Sequence, residues 1–122
     1  MARLLIVDDD RTLVNLLSQI VAIEGHSALG AYNGRQALEI VASQPIDLML
    51  LDLMMPEMDG FETLRRLRAS PEGRDLPVVV ITAMPDPHID ERVALAGGNA
   101  CLRKPVDFET LSAAIQAHLR HG

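Results

Sequence analysis

A short apolar run that ends in an acid places the strongest constraint on the fold of this chain. Residues 46–51 read Ile-Asp-Leu-Met-Leu-Leu, directly follow Pro45 and are closed by Asp52. A run of this length is too short to cross a bilayer and is typical of a β-strand buried on both faces, as in a parallel sheet. Residues 55–60 then include proline, aspartate and glycine, which favour a turn into a helix. Asp52 therefore stands at the carboxyl end of a buried strand, where open α/β sheets keep their binding sites.

Strand-like and helix-like segments alternate five times along the 122 residues. Strands separated by helices imply βαβ crossovers, a parallel sheet and helices on both of its faces. We therefore predict one α/β domain over residues 1–122, a doubly wound sheet of five parallel strands with five helices. The predicted strands are Arg3–Val7, Ser27–Ala31, the run before Asp52, Val78–Thr82 and Ala100–Arg103.

Capping residues and apolar spacing predict the helices. The residues expected at the helix N-termini belong to the types that accept a hydrogen bond from the first turn. They are Asp10, Asn33, Asp59, Asp86 and Asp107, with Pro87 at the first position of the fourth helix. The residues of the first helix expected to face the core are Leu13, Leu16, Leu17 and Ile20.

Composition limits the possible classes of function. The net charge of −6 argues against nonspecific binding to nucleic acid or to an anionic membrane, and it suits a site that holds a cation. The single cysteine, Cys101, excludes an internal disulfide and fits a reducing compartment. The N-terminus does not resemble a signal peptide, and no apolar stretch is long enough to span a bilayer. We expect a cytoplasmic protein.

Polar residues stand at the carboxyl ends of four predicted strands. Asp8 and Asp9 follow the first strand, Asp52 follows the third, Thr82 ends the fourth and Lys104 follows the fifth. Because the carboxyl ends of parallel strands meet at one edge, these side chains are expected to lie together. Neighbouring carboxylates repel one another unless a cation offsets their charge. Mg²⁺ suits such a site because it takes oxygen ligands and is bound by one or two carboxylates plus phosphate oxygens.

The same set of residues suits phosphoryl transfer. Asp52 is a carboxylate nucleophile that can form an aspartyl phosphate without a general base. Lys104 offers a positive charge, and Thr82 a hydroxyl, to phosphoryl oxygens. A backbone carbonyl just after Asp52, such as that of Met54, would complete the magnesium shell. Taken singly, each residue also has an ordinary role as a cap, a strand end or a surface charge, and only their joint position favours this chemistry.

Four motifs that together extend over essentially the whole chain resemble the receiver domain of two-component response regulators. They are residues 6–10 (Ile-Val-Asp-Asp-Asp), 47–60 around Asp52, 79–83 (Val-Val-Ile-Thr-Ala) and 104–105 (Lys-Pro). The resemblance implies a flavodoxin-like fold with strand order 2-1-3-4-5. It also implies a phosphorylation-dependent signalling switch, which changes conformation to alter partner binding and is not a turnover enzyme.

The resemblance assigns roles to single residues. Asp52 would accept a phosphoryl group from a phosphohistidine on a sensor histidine kinase or a histidine phosphotransfer protein. Asp9, Asp52 and the Met54 carbonyl would ligate Mg²⁺ directly, and Asp8 would act largely through water. Thr82 would be the switch hydroxyl that follows the phosphoryl group. A downstream protein target, or an output domain on a longer polypeptide, would receive the signal.

Around the last strand the chain matches the family at Lys104 and Pro105 and departs from it at Cys101. Lys104 would bind a phosphoryl oxygen, and its peptide bond to Pro105 would be cis. The family usually has Tyr or Phe three residues before this lysine, as a switch aromatic, whereas this chain has Cys101. We expect Cys101 to be a small apolar residue, not a redox sensor. Residues 97–99 (Gly-Gly-Asn) replace a common Gly-Ala-Asp and are expected to form a tolerated turn variant.

Two methionines bear on the lifetime of the expected phosphoryl group. Met54 and Met84 flank the predicted site at the positions where the family tunes its dephosphorylation rate. Because an apolar side chain cannot orient a water molecule, we expect a comparatively long-lived aspartyl phosphate.

Three other functions compete with the signalling switch. A magnesium-dependent phosphohydrolase would need a second positioned acid, but Asp59 and Asp86 are better explained as helix caps. A dinucleotide or flavin binder would need a G-x-G-x-x-G after the first strand, where this chain has acids. A degenerate receiver, which binds partners without phosphorylation, remains open because of Cys101.

Overall fold

Five strands and five helices alternate along the chain, as predicted. The computed structural model describes residues 1–119, and the last three residues of the expected domain, 120–122, lie outside the described residues. The strands are β1 (Arg3–Val7), β2 (Ser27–Ala31), β3 (Leu48–Leu51), β4 (Val78–Thr82) and β5 (Ala100–Arg103). The helices are α1 (Arg11–Ile23), α2 (Gly34–Ser43), α3 (Gly60–Ala69), α4 (Ile89–Ala96) and α5 (Phe108–His118).

The five strands form one parallel sheet in the order β2-β1-β3-β4-β5. This is the flavodoxin-like order that the family resemblance implies, with β3 at the centre and β2 at an edge. The register aligns Val7 of β1 with Leu51 of β3, and Leu51 with Val80 of β4. The residues that directly follow β1 and β3 therefore leave the sheet side by side.

The core consists of aliphatic side chains on both faces of the sheet. Because successive strand residues point to opposite faces, neighbours such as Leu50 and Leu51 belong to different clusters. Helices α2, α3 and α4 cover one face, and α1 and α5 cover the other. Every residue of β3 is at most 1% exposed, so β3 is buried on both faces, as its apolar run predicts.

Four of the five predicted N-caps are confirmed. In each of these four helices, a side-chain oxygen of the cap residue accepts a hydrogen bond from the backbone N–H three residues later, at 2.7–3.2 Å. This bond satisfies one of the N–H groups that the first helical turn leaves without a partner. The confirmed caps are Asp10, Asn33, Asp59 and Asp107.

The predicted start of the fourth helix is wrong. Helix α4 begins at Ile89, its N-cap is His88, and the side chain of His88 makes no capping bond. Asp86 lies in the preceding turn instead, where one carboxylate oxygen accepts from the His88 N–H and the other pairs with Arg92. Pro87 therefore lies in this turn and not in the helix.

Of the four α1 residues predicted to face the core, only Leu16 does not: Leu17 is buried, and Leu13 and Ile20 are partly buried and pack against the core. Leu16 is 53% exposed, whereas Val14, Leu17 and Val21 are buried. The spacing of three and four residues among these three side chains defines a stripe that excludes Leu16, because a helix turns about 100° per residue.

Among the described residues, no helix combines the length and the apolar character that crossing a membrane requires.

Candidate functional site

The two central acids are fixed by the strands that precede them. The Asp8 N–H donates to the carbonyl of Ala31 at 3.1 Å, and the Asp52 N–H donates to the carbonyl of Val7 at 3.0 Å. Each acid therefore continues the hydrogen-bonding pattern of the sheet one residue beyond its strand. Both side chains emerge at the carboxyl edge and are only 4% exposed as residues.

Three carboxylates and one ammonium meet at this edge. Carboxylate oxygens of Asp8, Asp9 and Asp52 all lie within 4.8 Å of one another. The Lys104 Nζ lies 2.8 Å from Asp8 Oδ2 and 3.4 Å from Asp52 Oδ2. The single ammonium cannot neutralise three ionised carboxylates, so the cluster keeps an excess of negative charge.

Lys104 and Thr82 are placed by adjacent strand ends. The Lys104 N–H donates to the carbonyl of Thr82 at 3.0 Å, which holds the ends of β4 and β5 together. Thr82 is fully buried, and its Oγ1 accepts a hydrogen bond from the Met84 N–H at 3.1 Å. The peptide bond between Lys104 and Pro105 is cis, as the family resemblance implies.

Backbone N–H groups hold the second oxygens of both buried acids. Asp8 Oδ1 accepts from the Asp10 N–H at 2.9 Å, just before α1 begins. Asp52 Oδ1 accepts from the Met54 N–H at 3.3 Å. Each carboxylate is thus oriented by its own loop, while its other oxygen faces Lys104.

Gly60 allows α3 to approach the backbone of the site. A Cβ atom on Gly60 would lie 2.5 Å from the Asp52 carbonyl oxygen and 2.6 Å from the Cα of Leu53. The Gly60 N–H also donates to the Leu53 carbonyl at 2.9 Å. The glycine at the start of α3 therefore fixes the loop after Asp52 by close packing, not only by forming a turn.

Burial and charge shift the pKa values of the central pair. Burial, followed by the neighbouring Asp8 carboxylate, raises the pKa of Asp52, although Lys104 and the Met54 N–H act in the opposite direction. Burial alone would lower the pKa of Lys104, but Asp8 and Asp52 together outweigh it and raise this pKa. Lys104 is therefore a stable cation at neutral pH, and ionisation of Asp52 is penalised while no further cation is bound.

A model of the response regulator receiver domain matches residues 4–116. The chain belongs to this family. Receiver domains are components of two-component systems and act as signalling switches, not as conventional turnover enzymes.

Curated relatives and solved structures agree with the assignment. The receiver domain is 42% identical to the response regulator MprA of Mycolicibacterium vanbaalenii over 120 residues, which is 97% of this chain and 50% of that protein. The chain thus spans about half the length of the curated relatives it matches. It superposes on the chemotaxis protein CheY4 of Vibrio cholerae with a TM-score of 0.91 and 28% identity, covering 98% of this chain and 99% of that one.

A second solved structure bears on the metal. The receiver domain of a sensor histidine kinase from Pseudomonas aeruginosa has a magnesium ion in its active-site cleft, with a TM-score of 0.87 and 26% identity over 96% of each chain. The present receiver domain has the matching chemistry, because Asp8, Asp9 and Asp52 offer hard oxygen donors in one cluster of excess negative charge. These residues fit a divalent cation.

Cys101 lies in β5 on the α4 side of this receiver domain. Its side chain is half-buried and packs against the core cluster under α2, α3 and α4. Burial and the nearby Asp90 carboxylate raise the pKa of the thiol, so it is protonated at neutral pH. It also lines a surface groove of about 340 Å³ between α4 and β5. A protonated, core-packed thiol agrees with the expected apolar role.

The structure brings together Asp8, Asp9, Asp52 and Lys104, as predicted, and places Thr82 beside Lys104. The backbone N–H of Met54 donates a hydrogen bond to the Asp52 carboxylate. Contact of the Met54 carbonyl with a metal stays a prediction. Sequence reasoning missed the bond from the Asp10 N–H to Asp8 and the packing of Gly60. The first is a local turn, which an acid two residues before an N-cap could have indicated.

We predict that replacing the Asp52 carboxylate stabilises the metal-free receiver domain at neutral pH. Because the folded-state pKa of Asp52 is raised, the folded chain binds more protons than the unfolded chain between the unfolded and folded pKa values. Stability then falls as the pH rises through that window. Asp52→Asn should therefore raise the thermal midpoint in EDTA by a few degrees at pH 7, with a smaller gain as the solution becomes more acidic.

The matched control is Asp47→Asn at the opposite edge of the sheet, where Asp47 accepts a bond from the Arg3 N–H that asparagine can also accept. It should not reproduce the gain. Added Mg²⁺ should reduce the advantage of Asp52→Asn, since a cation that binds the folded carboxylates stabilises the wild type. A wild type more stable than Asp52→Asn in EDTA would contradict this electrostatic account.

Proposed function

We propose that Asp52 is the phosphoacceptor of this receiver domain and that its phosphorylation controls the contacts of the domain with partners. The observation that carries the proposal is the meeting of Asp8, Asp9, Asp52 and Lys104 at one sheet edge, with Asp52 in contact with the ammonium. In this proposal, the arrangement would supply a nucleophile, a metal-binding set and a phosphoryl-binding charge at one place.

In the proposed transfer, a carboxylate oxygen of Asp52 attacks the phosphorus of a phosphohistidine. An oxygen–phosphorus bond forms while the phosphorus–nitrogen bond breaks, and the electron pair leaves with the donor imidazole. The ionised carboxylate carries no proton, so the step needs no general base. A bound Mg²⁺ would offset charge on the phosphoryl oxygens. Asp9, Asp52 and the Met54 carbonyl would hold the ion directly, and Asp8 would hold it largely through water.

Lys104 and Thr82 would bind the transferred group. Lys104 already faces Asp52 at 3.4 Å, so its ammonium can pair with a phosphoryl oxygen once Asp52 becomes the acyl phosphate. The Thr82 Oγ1 accepts from the Met84 N–H, and a hydroxyl retains one proton to donate. We propose that Thr82 donates this proton to another phosphoryl oxygen and moves with it, which makes Thr82 the switch hydroxyl.

The proposed partners follow from family membership and from the share of the relatives that the chain covers. A sensor histidine kinase or a histidine phosphotransfer protein would supply the phosphoryl group. Because the curated relatives are about twice as long as the matched region, the signal would pass to an output domain or to a separate downstream protein. We assign residues 1–122 to one receiver domain and place its action in the cytoplasm, which family membership supports.

We expect acetyl phosphate and Mg²⁺ to add one phosphoryl group to the protein, measured as intact mass. Asp52→Asn should abolish the adduct, because an amide is not a carboxylate nucleophile. Asp59→Asn is the matched control, since asparagine also caps a helix N-terminus and Asp59 lies outside the acidic cluster. EDTA should also suppress the adduct.

Two outcomes would reject the acceptor assignment. One is an adduct of equal yield in Asp52→Asn. The other is the lack of any adduct when Mg²⁺ is shown to bind, which would favour a degenerate receiver that binds partners without phosphorylation.

We expect the aspartyl phosphate to be long-lived because of Met54 and Met84. Met54 is 52% exposed and Met84 is half-buried, and neither side chain can orient an attacking water molecule. Met54→Asn and Met84→Glu should each shorten the half-life several-fold, below the roughly 10²-fold that a positioned general base contributes. The measurement is the decay of the intact-mass adduct after the donor is removed. Rapid decay in the wild type that neither substitution changes would refute this expectation.

A further inference from the structure

The segment after Thr82 is held by one arginine of α4. The Arg92 guanidinium pairs with Asp86 Oδ2 at 2.6 Å, and its Nη1 lies 3.9 Å from the Met84 sulfur. The guanidinium carbon also lies 4.5 Å from the centroid of the Phe61 ring in α3, within the range of a cation–π contact. Arg92 therefore connects α4, α3 and the loop between β4 and α4.

Asp86 fixes the loop to which Arg92 binds, because it makes three hydrogen bonds within the turn before α4. Its carbonyl accepts from the Ile89 N–H at 3.2 Å, and its Oδ1 accepts from the His88 N–H at 2.8 Å. Its own N–H donates to the Met84 carbonyl at 3.0 Å. The hydrogen bond from Arg92, followed by that from the His88 N–H, lowers the pKa of Asp86, so the carboxylate stays charged at neutral pH. The Asp86 carboxylate therefore takes part both in the turn before α4 and in the salt bridge with Arg92.

The loop of residues 83–86 directly follows Thr82, the residue that carries the proposed switch hydroxyl. Thr82 Oγ1 accepts from the Met84 N–H, and the same Met84 contacts Arg92 through its sulfur and packs against the core. A displacement of the Thr82 side chain together with the loop would therefore disturb the contacts of Arg92 with Met84, Asp86 and Phe61.

We propose that Arg92 is a positioning residue that holds the loop of residues 83–86 in its present conformation and so opposes uptake of the phosphoryl group. The proposal rests on the function assigned above to Asp52 and Thr82. In this proposal, Arg92 and Phe61 couple a conformational change at the site to α4. The coupling needs no aromatic residue in β5, where this chain has Cys101.

The test is calorimetric titration with beryllium trifluoride, a phosphoryl analogue, in the presence of Mg²⁺. Arg92→Ala should bind the analogue about fivefold more tightly than the wild type, which corresponds to about 1 kcal/mol. Its affinity for Mg²⁺ alone should stay within about twofold, because Arg92 does not contact the carboxylate cluster. A variant that was merely less stable would not bind the analogue more tightly while keeping its affinity for Mg²⁺.

Further variants separate the contacts of Arg92. Asp86→Asn retains an oxygen for the His88 N–H but removes the charge that faces Arg92, so it should shift analogue affinity in the same direction. The double variant with Arg92→Ala should gain little more. Phe61→Leu removes the ring but keeps an apolar side chain, and it provides the same test if Arg92→Ala fails to fold. Arg74→Ala is the charge-matched control, on the loop before β4 at the opposite edge of the sheet.

A measurement without the analogue separates this proposal from the one on which it rests. Backbone amides of residues 84–88 that carry an exchangeable hydrogen should exchange faster in metal-free Arg92→Ala than in the wild type or Arg74→Ala. Unchanged exchange, or analogue binding equal to or weaker than that of the wild type, would overturn the role of Arg92. If the wild type binds no analogue, the assignment of Asp52 fails, and the exchange experiment still decides whether Arg92 holds the loop.

Discussion

The balance of charge among Asp8, Asp52 and Lys104 is the constraint on which the rest of the site depends. Two unit charges of like sign within 4.8 Å repel by on the order of 3 kcal/mol at an effective dielectric constant near 20. Lys104 offsets part of this repulsion through contacts with both acids. The remaining negative charge suits a divalent cation, and with such a cation bound the proposed nucleophile, Asp52, would lie beside positive charge. A divalent cation would thus offset the negative charge that the folded chain leaves unbalanced.

The parallel sheet makes this arrangement possible because it collects distant residues at one edge. Asp8 and Lys104 are 96 residues apart in sequence, yet they form a 2.8 Å ion pair. The largely buried strands β1 and β3 fix the backbone before Asp8 and Asp52, and Gly60 fixes the loop after Asp52 by its close approach to the Asp52 carbonyl. The buried core therefore positions the acids, whereas the loop after Thr82 is held by local hydrogen bonds and, in our proposal, by the side-chain contacts of Arg92. The loop that we assign to the switch thus lies next to α4 and is partly exposed at the surface.

The sequence was most informative where one physical requirement dominates. The predicted bounds of β1, β2, β4 and β5 coincide with the observed ones. Strands β1 and β4 are largely buried apolar runs, whereas β2 and β5 are partly exposed edge strands that Gly and Pro residues delimit in the sequence. Strand ends collect at one edge, so the acids and Lys104 could be grouped before the structure was known. The start of α4 was mispredicted because the Asp86 carboxylate is used by His88 and Arg92, and Arg92 lies six residues away on another element. Leu16 was misassigned because leucine alone does not show which face of a helix is buried. Contacts between elements, such as Arg92 with Phe61, leave no local pattern to find.

The most direct test of the central claim is to locate the phosphoryl group within the chain. Borohydride reduces an aspartyl phosphate to homoserine, releasing phosphate, and peptide mapping by mass spectrometry then identifies the converted residue. After treatment with acetyl phosphate and Mg²⁺, the account predicts conversion at Asp52 and at no other acid of the cluster. Conversion at Asp8 or Asp9 with Asp52 intact would contradict the account, because Asp52 would then not be the nucleophile.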